Sequence, residues 1–263
     1  MAACITPFVM KNKKTNENLS VPCGKCPNCT ARRVSGWSFR LMQEYKQCTS
    51  AYFITLTYDT KHVPITNRGY KSLLKTDVQK FFKRLRKSHG KSNIKYYIAG
   101  EYGGKTKRPH YHVILFNANI DLIQDAWQKG YIHYGTVNEA SVGYTLKYIH
   151  KPKRIPLHKN DDRQPEFALM SKGLGKNYLT ENIKEWHEAD MYNRMYLPLQ
   201  DGKKVTMPRY YKDKLYTLEQ RINIGIKARQ KMLQNPINYE LQAAADIAAF
   251  ERQKINSLKN DKL

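Results

Sequence analysis

Two histidines one residue apart, His110 and His112, lie in the run Arg108-Pro109-His110-Tyr111-His112-Val113-Ile114-Leu115-Phe116. The segment after His112 is apolar and β-branched, the composition of a buried strand. Side chains two apart on a strand leave from the same face, so the imidazoles project side by side, with Tyr111 and Val113 opposite. Two neighbouring imidazoles can bind one divalent metal ion. A second reactive group, Tyr144-Thr145-Leu146-Lys147-Tyr148, begins 32 residues past His112. In a helix, Tyr144 and Tyr148 stand one turn apart on one face with Lys147 beside them. A metal that polarises a phosphate, with tyrosines that attack it, is the chemistry of nicking DNA through a phosphotyrosine.

Two histidines leave a catalytic metal site incomplete. Glu101 precedes His110 by nine residues, and a hairpin through Gly103-Gly104 brings its carboxylate toward the imidazoles. Nitrogen and oxygen ligands with open positions suit Mg²⁺ or Mn²⁺ bound to a DNA phosphate. A tyrosine hydroxyl ionises near pH ~10 and needs help as a nucleophile at neutral pH. Lys147 is placed to neutralise the phosphate or to assist proton transfer.

Cys23-x-x-Cys26-x-x-Cys29 brings three thiols into seven residues, and Cys4 is a fourth candidate. Thiols this close more often hold a metal than form disulfides. Four thiolates from Cys4, Cys23, Cys26 and Cys29 would make a closed tetrahedral zinc site that staples a short arm. An iron–sulfur cluster and free reduced thiols are the alternatives. Cys48 is expected to be a buried strand-edge thiol without metal.

These side chains need elements to hold them. Residues 51–58 read as a strand with Tyr52, Ile54, Leu56 and Tyr58 on one face. Thr76-Asp77 opens a helix with an apolar stripe of Val78, Phe81, Phe82 and Leu85. Residues 94–102 and the His strand form a hairpin around Gly103-Gly104. A short helix over 121–129, a strand over 131–137 and a tyrosine helix starting near Asn138 or Ser141 come next. The order implies an α+β fold: a central antiparallel sheet with helices on one face. Three regions are expected: a cysteine-rich arm and helix over 1–49, a nickase core over 50–155, and a mostly helical region over 156–263. In the last, Leu218, Ile222, Ile226 and Met232 follow helical spacing and are expected to pack on the core.

The net charge is +24 over 263 residues, with 19 Lys+Arg against 6 Asp+Glu in residues 51–155 alone. Such an excess around the two motifs points to a polyanion, because phosphate contacts supply most nonspecific affinity for nucleic acid. Lys105, Lys107 and Arg108 before the His strand, and Lys151, Lys153 and Arg154 after the tyrosine helix, are expected DNA contacts. No apolar stretch approaches the ~20 residues of a membrane span, and the N-terminus does not read as a secretory signal. A soluble cytoplasmic protein is expected. No Walker loop is present, so unwinding would fall to a host helicase and synthesis to a host polymerase. Oligomeric state is not legible.

His-hydrophobic-His followed by Tyr-x-x-Lys-Tyr resembles the HUH endonucleases that initiate rolling-circle replication. Tyr144 to Lys151 resembles the paired-tyrosine motif of the microvirus initiators. Val21-Pro22-Cys23-Gly24-Lys25-Cys26-Pro27-Asn28-Cys29 resembles their N-terminal signature, especially in the gokushovirus branch. The resemblance covers residues 1–155, and Tyr111 departs from it by being amphipathic rather than aliphatic. It implies a split βαβ core, a third metal ligand at Glu101, and initiation on a small circular single-stranded genome, the host cell being the site of action. A plasmid initiator, relaxase or transposase of the same superfamily is the near alternative. The distant one is a noncatalytic zinc-containing nucleic-acid-binding protein that stacks bases on Tyr96, Tyr97, Tyr210 and Tyr211.

Overall fold

The computed structural model describes residues 4–11, 16, 18–90, 93–149, 155–199, 202–234 and 239–260. The chain forms two compact units, residues 37–178, and residues 1–36 together with 179–263. The strands β1 (Phe8–Lys11) and β2 (Asn18–Val21) pair as an antiparallel hairpin. Helix α1 (Pro27–Tyr45) leads to β3 (Ala51–Thr57), α2 (Lys75–His89), β4 (Lys95–Tyr102) and β5 (Pro109–Phe116). Then come α3 (Ile123–Trp127), β6 (Ile132–Thr136), α4 (Glu139–Leu146) and β7 (Phe167–Met170). The remainder is α5 (Glu181–Ala189), the β8 (Tyr196–Pro198) and β9 (Lys204–Thr206) hairpin, α6 (Arg209–Leu215), α7 (Leu218–Gln234) and α8 (Tyr239–Asn260).

The centre of residues 37–178 is a five-stranded sheet in the order β6-β3-β5-β4-β7, antiparallel throughout. The mixed α+β fold agrees with the sequence. Tyr111, Val113 and Leu115 of β5 turn to one face, where Val78, Phe81, Phe82 and Leu85 of α2 and Trp127 of α3 close a core with Ile54 and Leu56. The opposite face is covered too, which corrects the expectation of helices on one face only. Trp37 of α1 lies 5.1 Å from Tyr97, and Tyr144 of α4 stands 6.2 Å from Phe53, centroid to centroid. The physical reason is in β5 itself: an unbroken apolar run from Val113 to Phe116 needs cover on both faces.

The amphipathic residue between the histidines has a structural task. The Tyr111 hydroxyl accepts from Leu74 N at 2.9 Å and lies 2.9 Å from the Tyr58 hydroxyl. It thus satisfies a backbone donor at the start of α2 that no neighbouring side chain caps. Asp77, expected as that cap, is buried instead and accepts from Tyr58 at 2.9 Å. Burial pushes Tyr111 up to about 12 and holds Tyr58 higher still, so both stay protonated.

The boundaries fall elsewhere than the composition suggested. The core runs past residue 155 because β7 extends the sheet beside β4. Gln164 fastens the connection: its amide donates to Ser72 Oγ at 3.0 Å, and its carbonyl accepts from Tyr102 at 2.7 Å. The cysteine arm and the C-terminal helices belong to one compact unit rather than two. In that unit Leu218, Ile222 and Ile226 are 66%, 53% and 52% exposed, so this stripe does not pack on a core as expected. Cys48 lies in the turn before β3, half-buried and donating to Tyr45 O at 3.1 Å, not inside the strand edge. Among the described residues no helix is long and apolar enough to cross a membrane.

Candidate functional site

The hairpin of β4 and β5 sets Glu101 directly opposite His110 and Ala99 opposite His112. On its other side β5 faces β3, with Thr57 opposite His110 and Thr55 opposite His112. One ligand atom each from Glu101, His110 and His112 fall within 4.8 Å of one another. Glu101 and His112 are buried and His110 is half-buried. The imidazole centroids are 4.8 Å apart, but their planes cross at 78° rather than lying parallel. Each ring meets an oxygen at Nδ1: the Arg108 carbonyl for His110 at 3.3 Å, and Thr55 Oγ1 for His112 at 3.0 Å. Such partners orient an imidazole so that Nε2 serves as the ligand nitrogen. A carboxylate and two oriented imidazoles fit a divalent cation with open positions.

Tyr144 reaches this triad from the other side. Helix α4 starts at a reciprocal cap, with Asn138 accepting from Ser141 N at 2.8 Å and Ser141 accepting from Asn138 N at 2.9 Å. Val142, Thr145 and Leu146 are buried and anchor it. That leaves Tyr144 on the open side, half-exposed, with its ring 4.9 Å from that of His112 at 83°. The α-helix ends at Leu146, and residues Lys147–Ile149 form a 3-10 turn. Successive residues there turn through about 120° rather than about 100°, so Tyr148 does not sit on a continuous α-helical face with Tyr144. Lys147 is half-buried at the end of α4. The side chain of Tyr148, and Lys151, Lys153 and Arg154 altogether, fall outside the described residues.

Of the three basic residues before the His strand, Lys105 is exposed. Lys107 donates to Gly104 O at 2.7 Å, and Arg108 donates to Tyr58 O at 2.7 Å. The last two therefore shape the hairpin end at least as much as they offer charge. Of the aromatics expected to stack bases in a noncatalytic protein, Tyr97 and Tyr211 are fully buried. Tyr96 is already stacked on Phe82, with centroids 3.5 Å apart. Thr55 and Phe53 are site residues that the sequence reading missed. Their signal is the alternation on β3: the face opposite Tyr52, Ile54, Leu56 and Tyr58 carries Phe53, Thr55 and Thr57.

A second cluster lies in the N-terminal arm. The Sγ atoms of Cys4, Cys23, Cys26 and Cys29 all lie within 4.8 Å of one another. The turn between the first two of the C-x-x-C residues needs Gly24, whose φ of 72° is a left-handed conformation. Cys23 Sγ accepts from Thr6 Oγ1 at 3.4 Å, Lys25 N at 3.4 Å and Cys26 N at 3.2 Å. These hydrogen bonds, that of Thr6 foremost, lower the Cys23 thiol to about 5. Burial pushes Cys29 up to about 12. A cluster poised to carry a thiolate, with backbone donors aimed at sulfur, fits a tetrahedral thiolate metal site.

Residues 51–153 match the family model for the replication-associated protein ORF2. The chain is 28% identical to the replication-associated protein ORF2 of Spiroplasma virus 4, over 94% of this chain and 86% of that protein. It is 29% identical to the replication-associated protein VP4 of Bdellovibrio phage phiMH2K, over 78% of this chain and 71% of that protein. Replication-associated protein ORF4 of Chlamydia phage 1 is 24% identical over 75% of this chain and 54% of its own length. No solved structure matches the chain. The likeness to the microvirus initiators is thus shown twice: by the ORF2 family model over the segment that holds the triad and Tyr144, and by phage replication-associated proteins over most of the chain.

Proposed function

We propose that this protein initiates rolling-circle replication of a small circular single-stranded DNA genome by nicking and rejoining DNA through a 5′-phosphotyrosine. One observation carries the reading: Tyr144 stands 4.9 Å, ring to ring, from a histidine that shares a pocket with a second histidine and a buried glutamate. Glu101, His110 and His112 would hold Mg²⁺ or Mn²⁺. When bound, such an ion withdraws charge from the oxygens of the scissile phosphate. The Tyr144 hydroxyl oxygen forms a bond to phosphorus as the bond to the 3′-oxygen breaks. The phenolic proton ends on that oxygen as a free 3′-hydroxyl, which primes synthesis. Phosphodiester energy is kept in the tyrosyl ester, so attack by a 3′-hydroxyl reseals the strand without ATP. Lys147 at the end of α4 neutralises phosphate charge or assists the proton transfer. Tyr148 attacks in the next round and releases the displaced circle. Lys105 and the basic residues after α4 supply contacts to the single strand and origin, and host helicase and polymerase complete the cycle. The thiols of Cys4, Cys23, Cys26 and Cys29 hold a structural zinc.

The test is to incubate the protein with circular single-stranded DNA and Mn²⁺ or Mg²⁺ and resolve covalent protein–DNA adducts. The wild type forms an adduct, Tyr144→Phe loses most of it, and Tyr148→Phe nicks without completing a round. An adduct that persists in the double Tyr144→Phe, Tyr148→Phe variant would assign the nucleophile elsewhere.

A further inference from the structure

The rows of side chains that carry the triad do not stop at β3. Strand β6 pairs with β3, placing His133 opposite Thr55, and Ile132 opposite Leu56. The ladder continues one residue earlier: Thr57 N donates to Tyr131 O at 3.0 Å, and Thr57 Oγ1 to the same oxygen at 2.9 Å. Two rows therefore cross the sheet on the site face. One runs Tyr131, Thr57, His110, Glu101; the other runs His133, Thr55, His112, Ala99. Tyr131 and His133 stand two strands from the histidines, roughly 10 Å at the usual strand spacing.

Both residues are open. Tyr131 is 75% exposed and His133 is exposed, although β6 belongs to the same sheet as the buried site. Strand β6 is the edge of that sheet, so no further strand covers them. The backbone beneath is held firmly. Gly130 enters the strand at φ 151°, and a Cβ there would fall 2.4 Å from Asp59 N and 2.5 Å from Thr57 O. No other residue lets the chain pass so close. A large aromatic surface left in water on a fixed backbone loses little freedom when something stacks on it.

We infer that Tyr131 and His133 form a base-stacking shelf for the nucleotides next to the phosphate that Tyr144 attacks. The location relative to the scissile phosphate rests on the nickase reading; the stacking itself does not. A single strand lying across the site face would set its phosphate over the triad and its neighbouring bases on the shelf. Stacking is tolerant of sequence, because every base has a π-face. Tyr134 provides an internal control. It lies on the same strand but pairs with Ile54, whose side chain belongs to the opposite face.

The experiment measures affinity without added divalent metal for two probes of equal length: labelled oligothymidylate and a strand made of abasic sites. Tyr131→Ala should bind oligothymidylate about tenfold more weakly, and Tyr131→Leu nearly as weakly, within the range for loss of one stacked base. On the abasic strand both should match the wild type. The salt dependence should not change, because no phosphate contact is removed. Tyr134→Ala should match the wild type on both probes. Unchanged affinity of the Tyr131 variants for oligothymidylate, or an equal loss on both probes, would overturn the shelf. The adduct assay separates the two proposals: a wild type that shows the stacking loss but forms no adduct removes the nickase reading and leaves the shelf as a binding surface. A wild type that forms the adduct while Tyr131→Ala binds normally removes the shelf alone.

Discussion

The molecule gathers ligand atoms in two places, and the two clusters are built differently. Cys4, Cys23, Cys26 and Cys29 supply four sulfurs, three of them from one seven-residue stretch. Glu101, His110 and His112 supply three atoms from two adjacent strands, braced by Thr55 of a third. Four thiolates complete a tetrahedron and leave no position for a substrate, which is the design of a structural site. Two imidazoles and one carboxylate leave positions open, and Tyr144 stands at that opening. A closed site stabilises a local fold; an open one on a rigid sheet supplies chemistry. The same distinction explains their settings. The thiols staple an arm with an exposed hairpin, whereas the triad rests on strands whose other face is a fully packed core.

Breaking the closed cluster should have the largest effect. Cys23→Ser with Cys26→Ser should abolish bound zinc, found by metal analysis at about one per chain in the wild type, and cost on the order of 4 kcal/mol or more. The protein that remains folded should still form the DNA adduct. Full zinc content in that variant would end the assignment of the four-thiol site. Breaking the open cluster should do the converse. His110→Ala with His112→Ala should lower adduct formation by more than about a hundredfold, beyond what loss of a supporting partner causes. Zinc content, melting temperature and metal-free DNA binding should stay as they were. Normal cleavage by this variant would separate the triad from the chemistry. The smallest effect sharpens the contrast. Thr55→Val removes only the oxygen at His112 Nδ1 and should raise the Mn²⁺ concentration needed for half-maximal adduct by about tenfold. An unchanged titration would mean that strand packing alone orients His112.

Much of the site was legible because its parts are local. The alternation of His110 and His112 needs only the period of a strand. Glu101 followed from one hairpin whose turn residues are plain. Asn138 announced the start of α4 by capping chemistry alone, and three cysteines in seven residues are neighbours in any fold. The features that escaped notice depend on partners distant in the chain. Thr55 meets His112 across 57 residues, and Tyr111 caps a helix start 37 residues earlier. Asp77 looked like a cap because its helix lacked a better one nearby; Tyr111 took that place and left Asp77 to Tyr58.

From residue types and spacing alone came the chemistry: oxygen, nitrogen and sulfur ligands in two sets, tyrosines near one of them, and a charge suited to a polyanion. Local periodicity also settled the α+β class, since each strand and helix could be read from its own neighbours. Tertiary structure decided the register that places Glu101, Thr57 and Tyr131 in one row, and the cover on both faces of the sheet. It also decided the fifth strand beyond residue 155 and the exposure of Leu218, Ile222 and Ile226. Register and burial are properties of pairs of elements, fixed by which surfaces fit when the whole chain collapses. A single segment carries its own period but not the identity of its neighbour.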